Sequence, residues 1–199
     1  MGVFVPAEKI TREKIIYAVL DCAFVKSVGG TSLADIAGRL GIKKASLYNH
    51  YSSREAMLED TVRFCGEYIK KTAFIPSEME ATARKYSVQA VLKGLVHRWI
   101  KLNEKEPLLQ IYSFIESEKY FSPEAAAIAK ESRQKLQTQT AVAINSLIEA
   151  KKIPLAAEQE TVLRSEIFAN MLFSLLDSYI VEKKELYPLK SPVRRRRTL

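Results

Sequence analysis

Lys43, Lys44, Ala45, Ser46, Tyr48, Asn49 and His50 fall within one short stretch of the chain. Two ammonium groups, a hydroxyl, a phenol, an amide and an imidazole in this pattern do not form a nucleophile with its base. They offer charge and hydrogen bonds: Lys and Tyr suit phosphate oxygens, and Asn and Ser suit base edges. The small Ala lets a helix come close to the floor of a groove. Leu47 and Tyr51 lie one helical turn apart and give the same stretch an inner, apolar edge. Other chemistry is sparse. The chain has two His, and Cys22 and Cys65 are not spaced as a Cys-x-x-Cys pair. There is no phosphate-binding Gly loop and no Gly-x-Ser-x-Gly. The expectation is therefore a protein that is not an enzyme and holds no metal or cofactor, with both cysteines serving as small apolar core residues.

The elements that must position these residues are helices. The chain has 199 residues, 47% of them apolar and 27% charged, which is a globular composition. Seven Gly and seven Pro are too few for the turns of an all-β domain this long, so the fold class is all-α. Thr11 is placed to cap a first helix reaching about Lys26, which Val28-Gly29-Gly30 breaks. Ser32 and Asp35 have the spacing of a capping box. The stripe Leu33, Ile36, Ala37, Leu40 then predicts a second helix, closed by Gly41. A short third helix over about 43–51 follows, and Ser53 caps a fourth over 54–71. Two short helices joined by Leu40-Gly41-Ile42 have the layout of a helix-turn-helix, whose second helix enters the major groove. Beyond a break at 74–76, helices are predicted over 87–104, 107–116, 122–150 and 157–184. The last is apolar on nearly all sides at its centre, as expected of a helix packed against its own core and a second surface.

Charge alone does not assign a partner. The net charge is +8, but Lys190 and the run Arg194, Arg195, Arg196, Arg197 supply five of those charges, leaving +3 for the other 189 residues. No stretch has the apolar length of a membrane-spanning helix, and the first residues lack the plan of a secretory signal. The expected location is cytoplasmic, without a membrane partner. On these residues alone a helical module acting through a protein or lipid partner stays open beside a DNA-binding one.

Residues 31–51, Thr-Ser-Leu-Ala-Asp-Ile-Ala-Gly-Arg-Leu-Gly-Ile-Lys-Lys-Ala-Ser-Leu-Tyr-Asn-His-Tyr, followed by Ser52-Ser53-Arg54-Glu55, resemble the DNA-binding signature of the TetR/AcrR family. The resemblance covers roughly 11–64, a third of the chain, with Ala34 standing where many members carry a basic or polar residue. It implies a three-helix DNA-binding domain over 1–53, a connecting helix over 54–73 and a ligand-binding and dimerisation bundle over 74–189. A basic tail over 190–199 is expected to be disordered. It further implies a homodimeric transcriptional repressor released from a palindromic double-stranded DNA operator by a small-molecule inducer. A regulator or activator that binds DNA constitutively is the alternative within the family.

Carried over by position, the resemblance makes Lys44, Tyr48 and Arg54 phosphate contacts. It sets Lys43, Ala45, Ser46 and Asn49 at or beside the bases, and Ser32 at the backbone. His50 ends the recognition helix, either packing or reaching DNA. His97, Trp99, Tyr112, Phe114 and Glu116 fall where the family builds its pocket, with Glu116 and His97 the groups that would orient a ligand. Phe168, Leu172, Leu175, Leu176 and Tyr179 of the last helix are the expected dimer interface.

Overall fold

The computed structural model describes residues 9–155 and 157–186, the side chains of 185 and 186 excepted. The run Arg194, Arg195, Arg196 and Arg197, with the rest of 190–199, lies outside the described residues. Among the described residues every regular element is a helix: α1 (Arg12–Lys26), α2 (Leu33–Leu40), a 3₁₀ helix (Lys44–Asn49), α3 (Arg54–Lys71), α4 (Met79–Lys85), α5 (Val88–Asn103), α6 (Leu108–Glu118), α7 (Pro123–Glu149) and α8 (Glu158–Leu186). The chain divides into two compact units between Phe64 and Cys65, within α3.

The first unit is built by caps and one small core. Thr11 accepts from the Lys14 amide at 3.2 Å, starting α1. That helix stops at Ser27, whose φ of 67° is the left-handed region, one residue before the predicted break. Gly30 is needed for a different reason: a Cβ there would stand 2.2 Å from the Lys26 carbonyl oxygen. Ile15, Val19, Leu20, Ile36, Leu47 and Met57 are at most 1% exposed and form the core. At about 1.5–3 kcal/mol per buried side chain, they supply the drive that helices this short lack on their own.

The second unit is a helical bundle centred on Trp99. Its indole N–H donates to the Leu172 carbonyl at 2.8 Å, and its ring meets Phe74 and Phe173 edge-on, with centroids 4.8 and 5.5 Å away. α7 and α8 pack side by side, joined by a buried bond from the Thr140 hydroxyl to the Ser165 carbonyl at 3.1 Å. α4 has no counterpart among the predicted helices. With seven residues and no side-chain cap at Glu78, it leaves too little pattern for periodicity to detect.

The expected dimer interface is corrected here. Phe168, Leu172 and Leu176 are buried in the described chain, filling the core of their own unit. Tyr179 donates its phenol proton to Glu104 of the same unit. Only Leu175 of the five is exposed, on a face with Leu163, Ile167 and Met171. α8 is apolar on two sides, so composition could not say which side the core takes.

Candidate nucleic-acid interface

The turn between α2 and the 3₁₀ helix is fixed by backbone bonds. Gly41 takes φ 67° and ψ 31°, a left-handed conformation that costs a Gly nothing. Its N–H donates to the Gly38 carbonyl at 3.2 Å, and the Ile42 N–H reaches the Ala37 carbonyl at 3.0 Å. Together these make a Schellman closure. At the other end of α2, Ser32 and Asp35 form the predicted capping box: Ser32 Oγ accepts from the Asp35 amide, and the Asp35 carboxylate accepts from the Ser32 N–H at 2.9 Å. Lys26 donates to the same carboxylate at 2.5 Å, and with the Ser32 donors holds it well below the usual carboxylate range.

From Lys43 the chain enters a 3₁₀ helix rather than the predicted α-helix. Lys43 provides no side-chain cap, and the ladder opens with Ser46 N–H to the Lys43 carbonyl at 2.9 Å. Six residues are too few for an α ladder to offset its nucleation cost, and the tighter helix is common in such short pieces. Leu47, 1% exposed, anchors it inward. The next anchor is Tyr51, buried, with its hydroxyl donating to Asp60 at 2.7 Å and the Arg12 guanidinium 5.2 Å from its ring centroid. Burial first, then Asp60, pushes that phenol far above its ordinary pKa, so it stays a donor.

This inward anchoring turns the other side chains outward. Lys43, Lys44, Ala45, Tyr48 and Asn49 are exposed, and Ser46 and His50 are half-buried. Tyr48 leaves 52% of its surface in water, unusual for a large ring without a partner. Three acids of the unit are engaged elsewhere: Asp35 with Lys26, Asp21 with Arg39 at 2.6 Å, and Asp60 with Tyr51 and Arg63. No carboxylate among the described residues pairs with Lys43 or Lys44. The result is a compact, polar, cationic face on a rigid support.

Two expected contacts have other work. Arg54 donates from Nη2 to the Val28 carbonyl at 2.6 Å and to the Thr31 carbonyl at 3.2 Å, with Nε also on Thr31. It ties α3 to the turn before α2, so its Nε and Nη2 donors are used inside the domain. The Ser32 hydroxyl is likewise committed to Asp35, whose carboxylate already occupies the N-terminus of α2. Sequence carried no sign of the Arg54 bonds, whereas the Ser32–Asp35 pair is the capping box that its spacing predicted.

In the second unit Trp99 and Tyr112 both meet Phe173, whose ring also carries the Arg133 guanidinium that pairs with Glu116. His97 is exposed, while Trp99 and Phe114 are core. Tyr112 stacks on Phe173 and donates to Asp177 at 2.8 Å, while Glu116 pairs with Lys119 at 2.6 Å and Arg133 at 3.0 Å. Burial, then Asp177, raises the Tyr112 pKa far above the ordinary phenol value. A cavity of about 340 Å³ opens between α4 and α5, and its lining includes none of those five residues. Its one sequence signal is Gly94 in the middle of α5, where helix propensity argues against Gly. Among the described residues no cluster of His, Cys, Asp or Glu is arranged to hold a metal ion. No described helix is long and apolar enough to cross a membrane. Cys65 is fully buried, which raises its thiol pKa, and Cys22 is half-buried.

Residues 18–61 match the family model described as bacterial regulatory proteins, tetR family. The likeness to the tetR family of bacterial regulatory proteins rests on that segment. The matched residues run from within α1 into α3 and so enclose the turn and the outward face just described. The chain is 31% identical over 94 residues to the biofilm operon icaADBC HTH-type negative transcriptional regulator IcaR of Staphylococcus aureus, covering 47% of this chain and 48% of that protein. It thus spans about half the length of those curated relatives. The IcaR of Staphylococcus epidermidis is 26% identical over 168 residues, 84% of this chain and 81% of that one. A transcriptional regulator from Rhodococcus sp. Rha1 shares the fold, with a TM-score of 0.58, 17% identity, and 90% and 88% of the two chains covered.

Proposed function

We propose that this chain is a dimeric transcriptional repressor of the TetR family that docks the 3₁₀ helix of each protomer in the major groove of a near-palindromic operator. A small-molecule ligand in the second unit releases it. The observation that carries the reading is the outward set Lys43, Lys44, Ala45, Ser46, Tyr48 and Asn49, rigidly backed by Leu47 and Tyr51 and left without carboxylate partners among the described residues. Lys44 and Tyr48 hold phosphates and supply most of the affinity. Lys43, Ala45, Ser46 and Asn49 face base edges and supply the preference. His50 ends the face, while Arg54 and Ser32 hold its frame.

Dimerisation uses the outer face of α8, where Leu163, Ile167, Met171 and Leu175 recur every turn and are 40–60% exposed, with Val142 of α7 also exposed. An apolar stripe of this length in water favours a second copy of itself related by a two-fold axis. Operator half-sites then lie about 34–36 Å apart, or a multiple of that. A ligand that prefers the released form by about 1–3 kcal/mol is sufficient to regulate it.

A gel-shift at low ionic strength, using duplex DNA upstream of the protein's own coding region, tests the reading. A discrete complex that resists unrelated competitor DNA is expected. Equal binding to every duplex, or none, contradicts sequence-specific regulation.

A further inference from the structure

The cavity between α4 and α5 has a floor of Met79, Val91 and Leu95, all nearly buried, and an open side at Ala90 and Gly94. Gly94 lies inside α5, yet a Cβ built on it meets nothing within 4 Å. The space is therefore kept by the absence of a side chain, at a position where Gly weakens the helix. One turn on, Arg98 lines the same cavity. Its Nε donates to the Phe74 carbonyl at 3.3 Å, and among the described residues no carboxylate pairs with its guanidinium. From 81 to 103 the sequence has Arg84, Lys85, Lys93, Arg98 and Lys101 and no Asp or Glu; Glu78 and Glu80 precede it. An apolar trough of about 340 Å³ that ends on an uncompensated guanidinium suits one chemistry, an apolar body carrying a carboxylate.

We propose that this cavity is a binding site for a small apolar carboxylate, its body on Met79, Val91 and Leu95 over Gly94 and its carboxylate on the terminal nitrogens of Arg98. The site lies beside a clamp. Phe74 accepts from Arg98, while the Phe74 and Ile75 amides donate to Gln139 Oε1 at 2.8 and 3.1 Å. Lys135 Nζ donates to the Ile69 and Lys70 carbonyls at 2.8 and 2.7 Å. A carboxylate that draws Arg98 toward itself competes with the Phe74 carbonyl and so acts on the segment leaving α3. That consequence rests on the ligand-released reading above; the site itself does not.

Calorimetry with 4-phenylbutyrate, and with 4-phenylbutan-1-ol and 4-phenylbutylamine as its neutral and cationic counterparts, tests the site on the full chain. Fluorescence of Trp99, the single tryptophan, reports locally. The acid should bind about tenfold or more tightly than the alcohol, and the amine least. Arg98→Gln should bring the acid to the alcohol's affinity and leave the alcohol unchanged. Gly94→Leu should abolish both, with helicity and melting temperature kept. No saturable binding of the acid, an alcohol that binds as well, or a folded Gly94→Leu protein that binds like wild type overturns the site. If the acid binds by these rules and DNA affinity does not move, the site stands and the ligand-released reading fails. If another compound frees DNA while the acid never binds, the reading stands and this site fails.

Discussion

The 3₁₀ helix and α8 pose the same question, which side faces the core, and answer it differently. In the first, Leu47 is the one buried residue between Lys44 and Asn49, and its neighbours are polar or small, so the outward face is defined by what surrounds it. In α8, Leu175 and Leu176 stand side by side in sequence, one 40% exposed and the other 0%. Composition marks a face only when the opposite face differs from it. A helix with two apolar faces has two partners, and only packing tells which is which.

The sharpest way to break this comparison is to charge the two leucines in turn. Leu176→Asp strips a buried side chain and buries a carboxylate, and should cost at least about 4 kcal/mol in urea unfolding. Leu175→Asp should leave monomer stability within about 0.5 kcal/mol and shift sedimentation from dimer to monomer. Reversed effects would mean that the faces of α8 are assigned the wrong way round. The same contrast in the first unit is smaller. Leu47→Ala should lower unfolding stability by about 3 kcal/mol, whereas Tyr48→Ala should leave it nearly unchanged and weaken every duplex alike in anisotropy titrations.

Smaller still is the frame of the interface. Ser32→Ala removes the hydroxyl of the capping box and should cost about 1 kcal/mol by thermal or urea unfolding. Each unit also has a carboxylate held low by its donors: Asp35 by Lys26 and Ser32, and Glu104, at about 2, by Tyr179 first and then Lys101 and Lys183. A depressed carboxylate stabilises the fold above its unfolded pKa, about 4.3 for Glu, and loses that contribution as the pH falls toward its folded value. Glu104→Gln should therefore be less stable than wild type at pH 7 by under about 1 kcal/mol, since the group is half-buried and water screens it. The gap should close between about pH 5 and 2; a constant gap would mean that the mutation acts through packing. Last, Lys44→Ala should flatten the slope of log affinity against log salt by about one unit.

These contrasts also show what the sequence carried. Caps and turns are local, so Thr11, Ser32 with Asp35, Gly41, Ser53, Ser87 and Ser122 mark helix boundaries that the structure keeps within a residue or two. The outward set around Tyr48 follows from Leu47 and Tyr51, again a local relation. What the sequence did not carry is tertiary. The Arg54 strut reaches back to Val28 and Thr31, and Lys135 and Gln139 hold a segment more than sixty residues away. The short α4 repeats no stripe, and the cavity over Gly94 exists only because α4 lies against α5. Aromatic residues at helical spacing, such as Trp99 and Phe114, read equally as pocket or as core, and packing made them core.

The central claim is that two copies of this chain read duplex DNA through the face between Lys43 and Asn49. Selection of bound sequences from a random duplex pool measures it directly. The account predicts an enriched inverted repeat whose half-site preference changes with Asn49→Ala and persists in Tyr48→Ala. A pool that stays random after repeated rounds with folded, ligand-free protein would contradict it, as would enrichment that neither substitution alters.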